Sequence, residues 1–270
     1  AVDDGFSCLK VKVGAGDLDR DVARLRAVRE AVGDDVPLRA DANAAWDRGT
    51  AEEAVEAFAT LDLSYLEQPL SADDLSGHAA LRGRGVGIAL DETLATVSVR
   101  DVLDAEAADV LVLKPMALGG PARAHAVARR ALGAGVDPLV TTTIDAAPAR
   151  TAAVHVAAAI PDVRPCGLAT AGALDSDLVP DPAPVESGTV AVPTGPGVAG
   201  GGPSVPGVAA PPWRATRNDG RRPTEGRIYT LPVPTAPMST GRLLYVLALF
   251  AVFVFSAGFV VIWALSYGPL

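Results

Sequence analysis

Apolar and polar positions alternate along residues 6–13, which predicts a strand with Lys10 and Lys12 on one face. Three further apolar runs follow, and each ends in an acid: Leu38-Arg39-Ala40-Asp41, Tyr65-Leu66-Glu67 and Ile88-Ala89-Leu90-Asp91. They recur about every 25 residues, the length of one strand-helix unit. Between them the period lengthens to that of a helix. Asp17 caps the first, whose apolar stripe is Leu18, Val22, Leu25, Val28 and Val32, with Gly33 as the stop. Thr50 and Glu53 have the spacing of a capping box opening a helix to Leu61. A short helix over 73–81 and another from Ser98 come next. A strand over 109–114 enters Pro115-Met116-Ala117-Leu118-Gly119-Gly120 and a helix to about Ala134. A strand over 138–143, a helix over 146–160 and a last strand over 164–169 complete the pattern, while residues 1–5 read as a helix end. Seven strands alternating with helices predict an α/β fold, an incomplete (β/α) barrel of TIM type lacking one unit.

The pattern changes near Val179, where prolines concentrate and Gly200-Gly201-Gly202 interrupts the chain. The expected organisation is a barrel domain over 1–198, a Pro/Gly/Arg-rich linker over 199–241 and a transmembrane helix over 242–266. Leu243 to Leu265 is 23 residues without a charge, about 35 Å as a helix and long enough to span a bilayer. Six arginines, Arg214 to Arg242, precede it and no basic residue follows, which places the barrel on the cytoplasmic side. A small membrane-protein reading frame joined to the barrel, starting at Met238, would leave the same pattern.

Composition changes this picture in two places. The net charge of −9 is uneven: residues 1–200 hold 30 of the 32 acids and 17 of the 23 basic residues. So acidic a body excludes nucleic acid as the expected partner. There are only three lysines, Lys10, Lys12 and Lys114, against twenty arginines. A lysine amine can be tuned to shed its proton near neutral pH and a guanidinium cannot, so these three positions point to chemistry. Cys8 and Cys166 make no metal pattern and read as reduced, buried thiols. His78, His125 and His155 fall within predicted helices and read as surface or packing residues. No signal-peptide pattern opens the sequence, so a cytoplasmic catalytic domain is expected, tethered to the membrane through the C-terminal helix.

In a parallel barrel the C-terminal ends of successive strands converge on one mouth. Asp41, Glu67 and Asp91 gathered there would repel one another unless a cation sat among them. A hard divalent ion with oxygen ligands, most simply Mg²⁺, meets that need.

The set Lys10-Val11-Lys12, Asp41-Ala42-Asn43, Glu67-Gln68-Pro69, Asp91-Glu92 and Lys114-Pro115 resembles the barrel domain of the enolase superfamily, in its muconate-cycloisomerase-like branch. Leu113-Lys114-Pro115-Met116 and the Gly119-Gly120 turn look most like the o-succinylbenzoate synthases of menaquinone biosynthesis. The resemblance covers about residues 1–198. It implies that Asp41, Glu67 and Asp91 hold Mg²⁺ and that Lys12 removes the proton alpha to a substrate carboxylate. It implies too that Lys114 stabilises the enediolate as a cation, that Lys10 tunes Lys12, and that Asn43 supports the ligands. Glu92, Thr142, Thr143 and Asp145 would surround a small carboxylate substrate, with Asp145 where family members usually carry Glu. The implied reaction is a syn-dehydration giving o-succinylbenzoate. Racemisation of an N-acylamino acid or epimerisation of a dipeptide uses the same site, and a non-catalytic, membrane-tethered barrel fragment is the reading of a different class. The match begins at the family's second barrel strand. The first strand and the N-terminal capping domain would come from an upstream segment, leaving two open edges, at the Phe6 strand and the Arg164 strand, and a chain that is a poor enzyme alone.

Overall fold

The computed structural model describes residues 1–198 apart from Pro196. Six parallel strands and seven helices alternate in it: β1 (Leu9–Lys12), α1 (Leu18–Val32), β2 (Leu38–Asp41), α2 (Arg48–Ala59), β3 (Leu63–Glu67), α3 (Leu75–Leu81), β4 (Ile88–Leu90), α4 (Thr93–Thr96), α5 (Val99–Asp104), β5 (Val110–Leu113), α6 (Pro121–Gly133), β6 (Asp137–Val140) and α7 (Ala147–Ala158). Spatial order equals chain order, β1 to β6, and among the described residues β1 and β6 are the outer strands, so the sheet they form is a half-barrel that does not close.

Alternation along the strands divides the core into two layers. Leu38, Ala40, Leu66, Ile88, Leu90, Leu111 and Leu113 face the helices and pack with Leu25, Phe58, Leu81 and Val102 into one continuous cluster. The opposite face lines the barrel interior with Tyr65, Ala89, Val110, Val112 and Leu139. One irregularity keeps the layers in phase. Leu38 pairs with Leu63 and the next residue, Arg39, pairs with Tyr65, so Ser64 is the extra residue of a β-bulge. The bulge lets Leu63 and Leu66 share the helix face although they stand an odd number of residues apart.

Helix starts follow capping chemistry. Asp17 accepts from the Arg20 N–H at 2.8 Å, as expected. The second helix begins earlier than the Thr50–Glu53 spacing predicts: Asp47 is its cap, accepting from the Thr50 N–H at 2.8 Å, and it ends at Ala59. Asp74 caps α3 through the Gly77 N–H, and Ser98 caps α5 through the Asp101 N–H. Residues 1–5 form hydrogen-bonded turns in place of the expected helix end.

The expected seventh strand over 164–169 is reduced to one parallel bridge, Thr141 to Gly167. Pro165 has no N–H to extend it, and Gly167 exchanges both its backbone groups with Val140 and Thr142. A hairpin absent from the sequence reading, β7 (Val185–Glu186) and β8 (Thr189–Val190), follows a single 3₁₀ turn at 171–173. Its turn residues Ser187 and Gly188 both have positive φ, and Gly188 lies so close to Gly5 that a Cβ would come within 2.1 Å of the Gly5 carbonyl oxygen. Under the hairpin, a cavity of about 280 Å³ separates residues 6–8 from residues 163–169. The two open edges expected from the sequence face this seam. Among the described residues no helix is long and apolar enough to cross a membrane; the linker and the Leu243–Leu265 span lie outside them.

Candidate active site

Register places the chemistry. Lys12 pairs with Asp41 and Asp41 with Glu67, so the last residues of β1, β2 and β3 stand side by side. Asp91 follows the last residue of β4 and Lys114 the last residue of β5. In spatial order the row therefore reads lysine, three carboxylates, lysine. All three acids are buried: Asp41, Glu67 and Asp91 are 0, 1 and 6% exposed. A carboxylate so buried needs compensation, and every lysine of the chain provides it. Lys10 Nζ donates to Asp41 Oδ2 at 2.7 Å and to both Glu67 oxygens at 3.0 and 2.9 Å. Lys12 Nζ donates to Asp41 Oδ2 at 2.5 Å and to Asn43 Oδ1 at 2.7 Å. Lys114 Nζ donates to Asp91 Oδ2. Three ammonium groups thus balance three carboxylates.

The balance is not even from site to site. Burial works to raise the Asp41 carboxyl, but Lys10 and Lys12 together outweigh it and hold the group below the usual range. Burial pushes the Glu67 carboxyl up to about 7; Lys10 opposes this, while Asp41 and Asp91 add to it. Burial likewise raises Asp91 against the pull of Lys114. For Lys10, burial opposes the charge, yet Glu67 and Asp41 keep its amine above the ordinary lysine value. This is a site with more buried negative charge than one bridging amine satisfies.

The donor set fits a hard divalent cation in kind: three carboxylates on adjacent strand ends, raised proton affinity at two of them, and ammonium groups as their charged partners. As the side chains stand, no three acidic, histidine or cysteine side chains among the described residues close on a common point. The lysine amines lie between the carboxylates, and Lys10 bridges Asp41 to Glu67.

The remaining expected residues divide into two groups. Asn43, with φ 45°, joins Lys12 to Glu92 through its Nδ2–Glu92 Oε1 bond of 2.9 Å. Thr142, Thr143 and Asp145 sit beyond β6 and make no hydrogen bond to the carboxylate–lysine row. Thr142 Oγ1 meets Thr170 Oγ1 at 2.8 Å, and Thr143 bonds Asp145. Arg150, nearly buried, fixes this loop by donating to the Asp145 carbonyl and to the carboxylates of Asp177 and Asp181. Below the mouth lies a cavity of about 110 Å³ lined by Lys10, Arg39, Tyr65, Glu67 and Thr141 among others. Arg39 is buried there over the Tyr65 ring, 4.9 Å from its centroid, and donates to the Pro165 carbonyl at 2.7 Å.

One residue at the site carries more than its sequence motif alone suggests. Gln68 is wholly buried and hydrogen-bonds along two strand exits. His78, also wholly buried, is a packing residue as expected; burial lowers its imidazole's proton affinity, and Nε2 accepts from the Leu70 N–H at 3.4 Å. Gln68 stood inside the Glu67-Gln68-Pro69 motif, but apart from the Leu70 carbonyl its main partners, Asp91 and Thr93, come from the exit of the next strand and leave no mark on its own segment.

A half-barrel with acids ending β2 and β3 and following β4, flanked by lysines, defines the enolase type of (β/α) protein. The family described as enolase C-terminal domain-like matches residues 1–199, and the chain belongs to it. It is 40% identical over 186 residues to an o-succinylbenzoate synthase of Thermobifida fusca, covering 66% of this chain and 56% of that one. It is 34% identical to a hydrophobic dipeptide epimerase of Enterococcus faecalis, over 68% of this chain and 51% of the relative. Among solved structures, the L-Ala-D/L-Glu epimerase of Bacillus subtilis superposes with a TM-score of 0.69 at 31% identity, covering 73% of this chain and 56% of that one. Muconate lactonizing enzyme of Pseudomonas putida shares the fold at TM-score 0.69 and 23% identity. The chain spans about half the length of these relatives.

Proposed function

We propose that the chain carries the site of a Mg²⁺-dependent lyase of the o-succinylbenzoate synthase kind, which removes a proton alpha to a carboxylate and eliminates water on the same face. The observation that carries this is the row of buried carboxylates at the ends of β2, β3 and β4 with a lysine at the strand end on each side. A carbon acid beside a carboxylate is weakly acidic, and the charge that develops on its oxygens must be met by cations already in place. Asp41, Glu67 and Asp91 would hold the divalent ion, which when bound supplies positive charge to the substrate carboxylate. Lys12, its side chain 63% exposed at the mouth, is the base. Lys114 offers an ammonium from the far end of the row. Lys10 lies deeper and holds Asp41 and Glu67 together. Asn43 orients the Lys12 amine and is itself held by Glu92. The Thr142–Asp145 loop borders the mouth and is where substrate selection is expected.

A second reading keeps the site and changes the outcome. One amine at each end of the carboxylate row is what racemisation or epimerisation at the alpha carbon requires, and relatives of that kind are 33 and 35% identical over 57% of the chain. The test is proton exchange in D₂O, followed by NMR, with the full chain, Mg²⁺ and two substrates: the o-succinylbenzoate precursor and an N-succinylamino acid. Deuterium entering the alpha position of either, lost with EDTA, supports the site. Net formation of o-succinylbenzoate selects the lyase, and solvent-labelled racemate selects the alternative. No exchange in either substrate at any Mg²⁺ concentration would overturn the proposal.

A further inference from the structure

The ladder between β3 and β4 is short. It has two register pairs, Leu66 with Ile88 and Glu67 with Ala89, and its last backbone bond is Gln68 N–H to the Ala89 carbonyl at 2.8 Å. Asp91 lies two residues past that end. The next acceptor on the β3 side would be the Gln68 carbonyl, but it is already taken by the Ala44 N–H at 2.7 Å. The Gln68 side chain fills the place. With φ at 40° the backbone turns back on itself, and Oε1 accepts from the Asp91 N–H and the Thr93 N–H, both at 3.1 Å. On the other side Nε2 donates to the Leu70 carbonyl at 3.0 Å and to Thr93 Oγ1 at 2.9 Å. One buried amide therefore ties the chain leaving β3 to the chain leaving β4, between the two carboxylates it separates. A polar group merely satisfied in a core needs partners, but not partners on both sides of a pair of ligands.

We propose that Gln68 is a positioning residue that sets the spacing of Glu67 and Asp91 by acting as the missing rung of the ladder. This rests on the reading of those acids as holders of Mg²⁺. A hard ion with short oxygen bonds is sensitive to where its ligands start, and partners behind the ligands govern affinity accordingly. The thermodynamic role of Gln68 is then distinct from a contribution to folding, and the two are separable.

The experiment measures Mg²⁺ affinity by titration calorimetry and the thermal midpoint without Mg²⁺, in the full chain and three variants. Gln68→Met keeps the volume and removes every hydrogen bond of the side chain. Thr93→Val removes one partner hydroxyl. Ile160→Ala is a core truncation beyond α7 that lowers stability without touching the site. The expected result is Mg²⁺ binding weakened about 10- to 100-fold in Gln68→Met, a smaller loss in Thr93→Val at a nearly unchanged midpoint, and unchanged affinity in Ile160→Ala despite its lower midpoint. Wild-type affinity in Gln68→Met, or an equal loss in Ile160→Ala, overturns the inference while leaving the metal reading in place. If Gln68→Met does not fold, Thr93→Val decides: weaker binding supports the rung and unchanged binding refutes it. Absence of Mg²⁺ binding in the parent chain, by contrast, would sink the metal reading and this inference together.

Discussion

At the scale of single residues, the sharpest expectation concerns the two outer lysines. Lys12→Ala removes the proposed base and is expected to cut alpha-proton exchange about 10²- to 10⁴-fold. The same change at Lys114 should also cut exchange, because it takes away a cation that meets the enediolate charge formed in that step. Single-turnover deuterium exchange with product quantification reads both; near-full exchange in Lys114→Ala would mean that its role is wrongly assigned. What the sequence made legible here was residue type and spacing. Three acids in phase and three lysines among twenty arginines are visible without coordinates. That Lys10 would bridge two of the acids while Lys12 leans on Asn43 was not, because both lysines lie on one face and only register shows which acid each meets.

At the scale of elements, capping was only half legible. Thr50 and Asp47 both suit a helix start, and the winner depends on where the chain leaves β2. The Asp74 cap of α3 gives a pH test. Arg48 donates to the Asp74 carboxylate, and the Gly77 N–H adds to this, so the group is held down to about 2. A carboxyl whose proton affinity is lower in the folded state stabilises the fold above its unfolded value near 4 and loses that contribution as pH falls toward 2. Asp74→Asn keeps a capping oxygen and loses the charge. Its thermal midpoint should fall below the parent's at pH 7 and converge with it by about pH 2, whereas Asp74→Ala should cost about 1 kcal/mol more through the lost cap. Parallel midpoint curves for parent and Asp74→Asn across that range would show that the charge is idle.

The β3 bulge yields another expectation at this scale. Removing Ser64 leaves Leu-Tyr-Leu-Glu opposite Leu-Arg-Ala-Asp, a regular ladder with every side chain on its present face. Deletion of Ser64 is therefore expected to keep Mg²⁺ binding, while deletion of Leu66 would turn Tyr65 to the helix layer or Glu67 out of the row and abolish it. The bulge itself was hidden in the sequence, because the extra residue exists only relative to a partner strand.

At the scale of the whole molecule, strand-helix alternation was readable up to β6 and faded where Pro165 stops a ladder before it starts. The hairpin at 185–190 left only Ser187-Gly188 as a turn signal in a proline-rich stretch. Cys8 and Cys166 report on the seam between the sheet edges, since both line its cavity. Burial pushes both thiols up, so their alkylation at pH 8 should run slower than that of an unstructured cysteine peptide, with mass spectrometry as the measure. Rates equal to the peptide's would show that the seam is open to solvent.

The order of the sheet also has a kinetic side. In the six-stranded sheet each strand joins the one synthesised just before it, and among the described residues no pairing requires the two ends of the sheet to meet. Loop closure between neighbours costs little compared with closing a complete ring, so the half-barrel can grow one unit at a time as the chain emerges. Hydrogen exchange should then be graded across the sheet, slowest in β3 and fastest in β1 and β6, instead of uniform as in an all-or-none barrel.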